Sequence, residues 1–324
     1  MMEIKRAVRQ AIPQIISLAG VSGSGKTYSA LKLAAGLAGP GGKVALIDTE
    51  NGRGAMYADS PGILKDLPGG FMRIPFDPPF SPARYIEALT LAEQNGITVC
   101  CIDSGSHGWE GIGGCCEIAE THKLRGMPNW SLAKREHKKF LNHLLSTSMH
   151  VIVCLRAREK VKILEVNGKT EVIPVGIQPI AEKNFVFEML VSLLLEEQTH
   201  YAIPVKVPEP LASLFPAKHL ITCEDGQRIR EWNNQAPQAE EGERLLVRAR
   251  AEAERGMEFY RAFYTALSSA QKKILTPQHE QNKCIAQAAD SPQQREPGDD
   301  GPPEKTDAEL DAEIIRQDQE REKR

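Results

Sequence analysis

Gly20-Val21-Ser22-Gly23-Ser24-Gly25-Lys26-Thr27 follows the pattern G-x-x-x-x-G-K-T. Glycines at that spacing let the backbone wind tightly, so successive N–H groups point inward at bound phosphate oxygens. The lysine after the last glycine reaches the outer phosphates, and the hydroxyl beside it ligates Mg²⁺. Lys26 and Thr27 stand in those two places. The phosphate-binding set therefore runs Gly20, Val21, Ser22, Gly23, Ser24, Gly25, Lys26 and Thr27, and extends to Tyr28 at the start of the following helix.

Other residues must decide what happens to the phosphates. Asp103 ends the apolar run Val99-Cys100-Cys101-Ile102. A carboxylate at the carboxyl end of a buried strand is placed to hold Mg²⁺ beside the phosphates. Glu50 lies just past Leu46-Ile47-Asp48, where it can polarise a water for attack on the terminal phosphate. Asp48 reads as a structural strand-end residue and as the alternative base. Arg156 and Arg158 follow the run Val151–Leu155 and emerge at the same edge. An arginine there stabilises charge on the phosphate being transferred, with a solvated surface pair as the alternative reading. Gln178 and Arg53 are weaker phosphate contacts of the same kind.

The elements that must position these groups are legible as alternating patterns. Gln14–Ala19, Lys43–Asp48, Ile97–Ser104 and His150–Leu155 are apolar runs of strand length. Helices are expected over Tyr28–Ala35, ended by Gly39-Pro40-Gly41-Gly42, over Ala83–Gln94 behind the start signal Ser81-Pro82, and over Ser131–Leu145. Gly105–Gly114 reads as a glycine-rich loop. Asn167-Gly168 between two β-prone runs predicts a hairpin. Phe185–Leu195 reads as a further strand, and Tyr201–Val207 as an added one. The fold class is thus α/β, a mainly parallel sheet with helices on both faces. Residues 1–235 form this core. Residues 236–290 form a helical extension, with a helix over Glu240–Leu267 interrupted at Gly256 and a short one starting at Pro277. Residues 291–324 are rich in Pro, Gly and Asp and read as a disordered acidic tail ending in a charged helix capped at Thr306.

The chain has 324 residues and a formal charge of −3. Residues 291–324 hold eleven acidic and six basic side chains, so the remaining residues are near balance with 34 basic and 32 acidic. That excludes a globally basic nucleic-acid binder and leaves room for a local basic patch. No apolar run reaches the ~18 residues of a membrane span, and the first residues lack a secretory apolar core, so the expected location is the cytoplasm. Seven cysteines without a C-x-x-C pair read as small buried hydrophobes.

Together these segments resemble the RecA-like ATPases, and among them the compact phage and prophage members linked to single-strand annealing and recombination. The likeness rests on Gly20–Thr27, on Ile47-Asp48-Thr49-Glu50, on Ile102-Asp103-Ser104, and on the strand–arginine–hairpin run from His150 to Gln178. It implies ATP and Mg²⁺ as cofactors, Glu50 as the catalytic glutamate and a DNA contact in the hairpin region. Single-stranded DNA is the expected partner. A second copy of the chain, and a protein partner at the C-terminal helices or tail, are further ones. Two basic surfaces could meet DNA. One is Lys134-Arg135-Glu136-His137-Lys138-Lys139 after Trp130, which also reads as an ordinary solvated helix face. The other is Lys160, Lys162, Lys169 and Lys183, on the hairpin and its exit. The competing readings are a P-loop kinase acting on a small molecule, with Arg53 and Arg125 in a lid, and a nucleotide-binding adaptor that does not hydrolyse.

Overall fold

The computed structural model describes residues 7, 9–166, 169–236 and 241–290. Eight strands form one system: β1 Ile15–Gly20, β2 Val44–Asp48, β3 Met72–Pro75, β4 Val99–Asp103, β5 His150–Val166, β6 Lys169–Pro179, β7 Val191–Leu195 and β8 Ala202–Lys206. Their order is β3-β2-β4-β5-β1-β7-β8, with β6 paired to β5 outside that row. Every pairing from β3 to β7 is parallel. β8 closes one edge antiparallel to β7, and Pro204 in it blunts that edge. β1, β2 and β4 are buried along their whole length, as strands covered on both faces must be.

The helices in chain order are α1 Lys26–Ala38, α2 Pro61–Leu64, α3 Pro82–Gln94, α4 His107–Glu110, α5 Cys115–Thr121, α6 Trp130–Ser146, α7 Phe185–Glu188, α8 Cys223–Asn234, α9 Glu241–Arg255, α10 Met257–Ala266 and α11 Ser269–Asp290. On one face of the sheet, Leu33 and Leu37 of α1 and Ile229 of α8 pack with Leu18, Ile152 and Leu193. On the other, Tyr85 and Leu89 of α3 and Phe140 and Leu144 of α6 pack with Ile47, Ile102 and Val153. Ser81 caps α3 by accepting from the Arg84 amide, and Pro82 takes the first helical position. Helices α9 to α11 share a smaller core of Leu245, Ala249, Tyr260 and Leu275. Among the described residues no helix is long and apolar enough to cross a membrane.

α1 must sit deep because it carries Lys26 at its start. It does so through a backbone contact with α8. A Cβ on Gly36 would fall 1.9 Å from the Cys223 carbonyl oxygen, and one on Gly226 would fall 2.1 Å from that of Leu33. Gly36→Ala is therefore expected to lower stability. Overpacking costs roughly 1–3 kcal/mol, which outweighs the helix-propensity gain of about 1 kcal/mol. Urea unfolding with an unchanged slope and a lower midpoint would show it; an unchanged midpoint would refute the tight contact.

Three expectations need correction. Phe185–Leu195 is not one strand. Phe185 and Val186 turn into the core on the short helix α7, and the strand begins only at Val191. An apolar run without alternation does not distinguish these two geometries. Pro277 does not open a helix but lies inside α11. The start signal is upstream: Ser268 Oγ accepts from the Gln271 amide, and Gln271 Oε1 accepts from the Ser268 amide. The glycine-rich stretch Gly105–Gly114 is not all loop, since α4 occupies one turn of it. The break at Gly256 stands where expected, at φ 125° between α9 and α10. β5 and β6 pair antiparallel out to Val166 and Lys169; the Asn167-Gly168 turn lies outside the described residues, as does the acidic tail at 291–324.

Candidate functional site

The register of the sheet brings the chemistry-bearing residues to one edge. Gly20 pairs with Arg156, Asp103 with Cys154, and Asp48 with Asp103. β1, β2 and β4 end there, because all run the same way, and β5 passes through it.

The loop after β1 forms a cradle. Gly23 and Gly25 adopt φ of 85° and 82°, which side chains with a Cβ rarely adopt. Gly20 has no room for one either, since its Cβ would meet Ser24 Oγ at 2.3 Å. Lys26 Nζ donates to the Val21 carbonyl at 2.7 Å, folding the side chain across the loop. Burial lowers the Lys26 pKa, and the nearby Asp103 and Glu50 charges oppose that. Ser24 Oγ is buried with no hydrogen-bond partner among the described residues, a polar atom that a bound phosphate group could satisfy. Tyr28 packs its ring near Tyr57, centroids 5.8 Å apart.

Thr27 Oγ1 donates to Asp103 Oδ2. The two oxygens expected to hold Mg²⁺ are thus adjacent, one from α1 and one from the end of β4. The residues present fit a magnesium–nucleotide: hydroxyl and carboxylate oxygens suit a hard cation, and an amide-lined loop suits the phosphates.

Burial pushes the Asp103 carboxyl up to about 6; the Thr27 bond works against this and the Glu50 charge adds to it. An unfolded aspartate ionises near ~3.9. Folding therefore favours the protonated form. Its stabilising contribution is complete below about pH 4 and is lost as pH rises through about 6. Asp103→Asn is neutral at every pH. Without magnesium, its melting temperature is expected to gain on wild type from about pH 4 to pH 7. A difference that stays flat across that range refutes the shift.

Glu50 is placed by its neighbours. Asp48 is buried, receives Arg73 Nε at 2.7 Å, and accepts from the Glu50 amide at 2.9 Å. Asp48 is therefore the strand-end residue that turns the chain so that Glu50 faces the edge. The Glu50 carboxylate meets Arg156 in a two-point contact, Nε to Oε1 at 2.9 Å and Nη2 to Oε2 at 2.5 Å. That bond raises the Arg156 pKa. Arg158 points elsewhere and pairs with Glu110 of α4 at 2.8 Å. Gln178 lies opposite Arg158 on β6 and is exposed, and Arg53 is exposed on a 3-10 turn beside the site. The structure thus groups Lys26, Thr27, Asp103, Glu50 and Arg156, and leaves Arg158 one step outside.

One residue of the cluster escaped the sequence. His107 Nδ1 lies 2.7 Å from Thr49 Oγ1, and its Nε2 lies 3.9 Å from Glu50 Oε1. A histidine in a glycine-rich stretch carries no pattern; only the joining of β2 and β4 brings Thr49 to it.

In the basic stretch on α6, Lys134 and Lys138 are exposed, and Arg135 and Lys139 lie beside Glu136. Glu136 lies 3.2 Å from Lys139 and 3.6 Å from Arg135. His137 is held neutral by burial, its pKa lowered to about 4. Trp130 packs beside Trp109, with centroids 6.3 Å apart. On the ribbon side Lys160 and Lys183 are exposed, while the side chains of Lys162 and Lys169 lie outside the described ones.

A family model described as an AAA domain matches residues 12–189, more than half of the chain. The chain belongs to the AAA domain family. The match runs from the residues before β1 to the end of α7, so it takes in the cradle, Glu50, Asp103 and Arg156. Among solved structures, a KaiC-like protein from the hyperthermophilic archaeon Pyrococcus horikoshii OT3 is similar at 16% identity and a TM-score of 0.35, over 63% of this chain and 89% of that one. A comparison with curated proteins gave no match.

Proposed function

We propose that this AAA domain protein is a magnesium-dependent ATPase that acts on single-stranded DNA in recombination, annealing or repair. The observation that carries this reading is the course of β5. The strand delivers Arg156 to Glu50, then continues without a break as one arm of the β5–β6 ribbon. A ligand held along the ribbon and the phosphate site therefore share one backbone. The resemblance to phage recombination ATPases supplies DNA as that ligand.

The roles follow from position. The loop amides and Lys26 hold the phosphates. Thr27 and Asp103 would hold Mg²⁺, which when bound supplies positive charge to the phosphate oxygens. Glu50 orients and deprotonates the attacking water. Arg156 steadies the terminal phosphate once it leaves Glu50. The base cannot work while Arg156 grips both its oxygens, so this arrangement is the resting one.

The test is steady-state ATP hydrolysis with and without single-stranded DNA. Stimulation by DNA is the expected result. Turnover indifferent to DNA would overturn the DNA assignment and favour the kinase, to be pursued with small-molecule acceptors. Binding without any turnover would favour the adaptor.

A further inference from the structure

His107 opens α4 four residues beyond Asp103. Phe80 stacks on its ring, with centroids 4.8 Å apart and 25° between planes. The stack and the Thr49 contact fix the ring at two points. The hydrogen bonds around Thr49 then assign its tautomer. Thr49 Oγ1 accepts from the Ser104 amide at 2.6 Å, so its own proton goes to a different acceptor. The Ser104 carbonyl is 3.3 Å away and already receives the Tyr85 hydroxyl at 2.8 Å. His107 Nδ1 at 2.7 Å is the better acceptor. With Nδ1 accepting, the ring proton sits on Nε2, the nitrogen that faces Glu50 Oε1.

Among the described residues, Arg156 and His107 are the two donors within 4 Å of the Glu50 carboxylate, and only Arg156 is engaged. Arg156 takes both oxygens, and His107 waits 3.9 Å from one of them. An anion arriving beside Arg156 competes for the guanidinium. A carboxylate released by it would swing freely, and a general base works only when held in line with the water. We propose that His107 is a positioning residue, whose Nε2–H takes over the Glu50 oxygen that Arg156 gives up and so aims the other oxygen at the water. Burial, and next the Arg156 charge, lower the His107 pKa, which suits a neutral donor that leaves Glu50 its negative charge. His107 gains and loses no proton in this role. The inference rests on reading Glu50 as the base.

The substitutions separate the two ends of the ring. His107→Asn keeps an acceptor for Thr49 but cannot reach Glu50. His107→Gln places an amide donor near the position of Nε2. On the full chain, His107→Ala and His107→Asn are expected to lower kcat about ten- to a hundredfold, with KM for ATP and the melting temperature near wild type. His107→Gln is expected to recover most of kcat. A histidine needed only to brace Thr49 would give the reverse order, with Asn active and Gln impaired, and that result overturns the proposal. If the alanine variant does not fold, the Asn and Gln pair decides alone. Glu50→Gln runs in parallel. Loss of turnover there with full activity in His107→Asn sinks this inference and leaves the base standing. Full turnover in Glu50→Gln removes the base, and the inference with it.

Discussion

Glu50→Gln is expected to lower the rate of ATP cleavage by about 10²–10⁴-fold, the range for loss of a general base. Nucleotide binding is expected to survive. The amide has nearly the shape of the carboxylate, and the Glu50 backbone stays anchored to Asp48. It differs in two ways. It cannot accept the water proton, and it cannot form the two-point ion pair with Arg156. Arg156 is thereby freed before any nucleotide arrives, so affinity for ATP should equal or exceed that of wild type. Single-turnover hydrolysis beside equilibrium binding of a fluorescent ATP analogue measures both effects. Unchanged cleavage would move the base elsewhere, and Asp48 is too deeply engaged with Arg73 to be the first choice.

Lys26→Ala is expected to fail one stage earlier, at binding. The ammonium is nearly buried and held across the loop by the Val21 carbonyl. It faces Asp103 and Glu50, so removing it leaves those carboxylates less balanced where phosphates must enter. A hydrogen bond to a charged group contributes about 1.5–3 kcal/mol, and both charge and bond are lost here. Affinity for ATP should fall at least about tenfold to a hundredfold. Calorimetric titration with the magnesium nucleotide measures it, with far-UV circular dichroism to show that the chain still folds. Affinity equal to wild type would mean that the loop amides alone hold the phosphates.

Much of this site is legible in the sequence. The cradle, the strand ends at Asp48 and Asp103, and the position of Glu50 are local patterns, in which a buried run stops and a polar residue follows. The partner of Glu50 was harder. Arg156 lies 106 residues away, and nothing local says that β5 inserts between β1 and β4. Arg158 has the same credentials in the sequence as Arg156; the two share a face of β5, and only the step of two residues along the strand sets one beside Glu50 and the other beside Glu110. His107 was invisible because its meaning depends on Thr49 and Ser104 being neighbours across β2 and β4. The misreadings at Phe185 and Pro277 have one origin. Composition marks a segment as apolar or punctuated, and tertiary packing decides whether the chain bends there.

β5 has seventeen residues, and the last ten lie beyond Arg156. At about 3.3 Å per residue that overhang is roughly 33 Å long. Paired with β6, with a register shift between Lys160 and Val161, it is a cantilever clamped at the mouth of the phosphate site. By leverage alone, a tip displaced by about 3 Å turns its root by only about 5° on that span. A two-point guanidinium–carboxylate contact needs its atoms in line and in plane, so it is a joint that responds to small rotations. The length of the overhang sets the gain. Trimming both arms equally, two residues at a time, keeps every side chain on its own face and shortens the lever without touching the site.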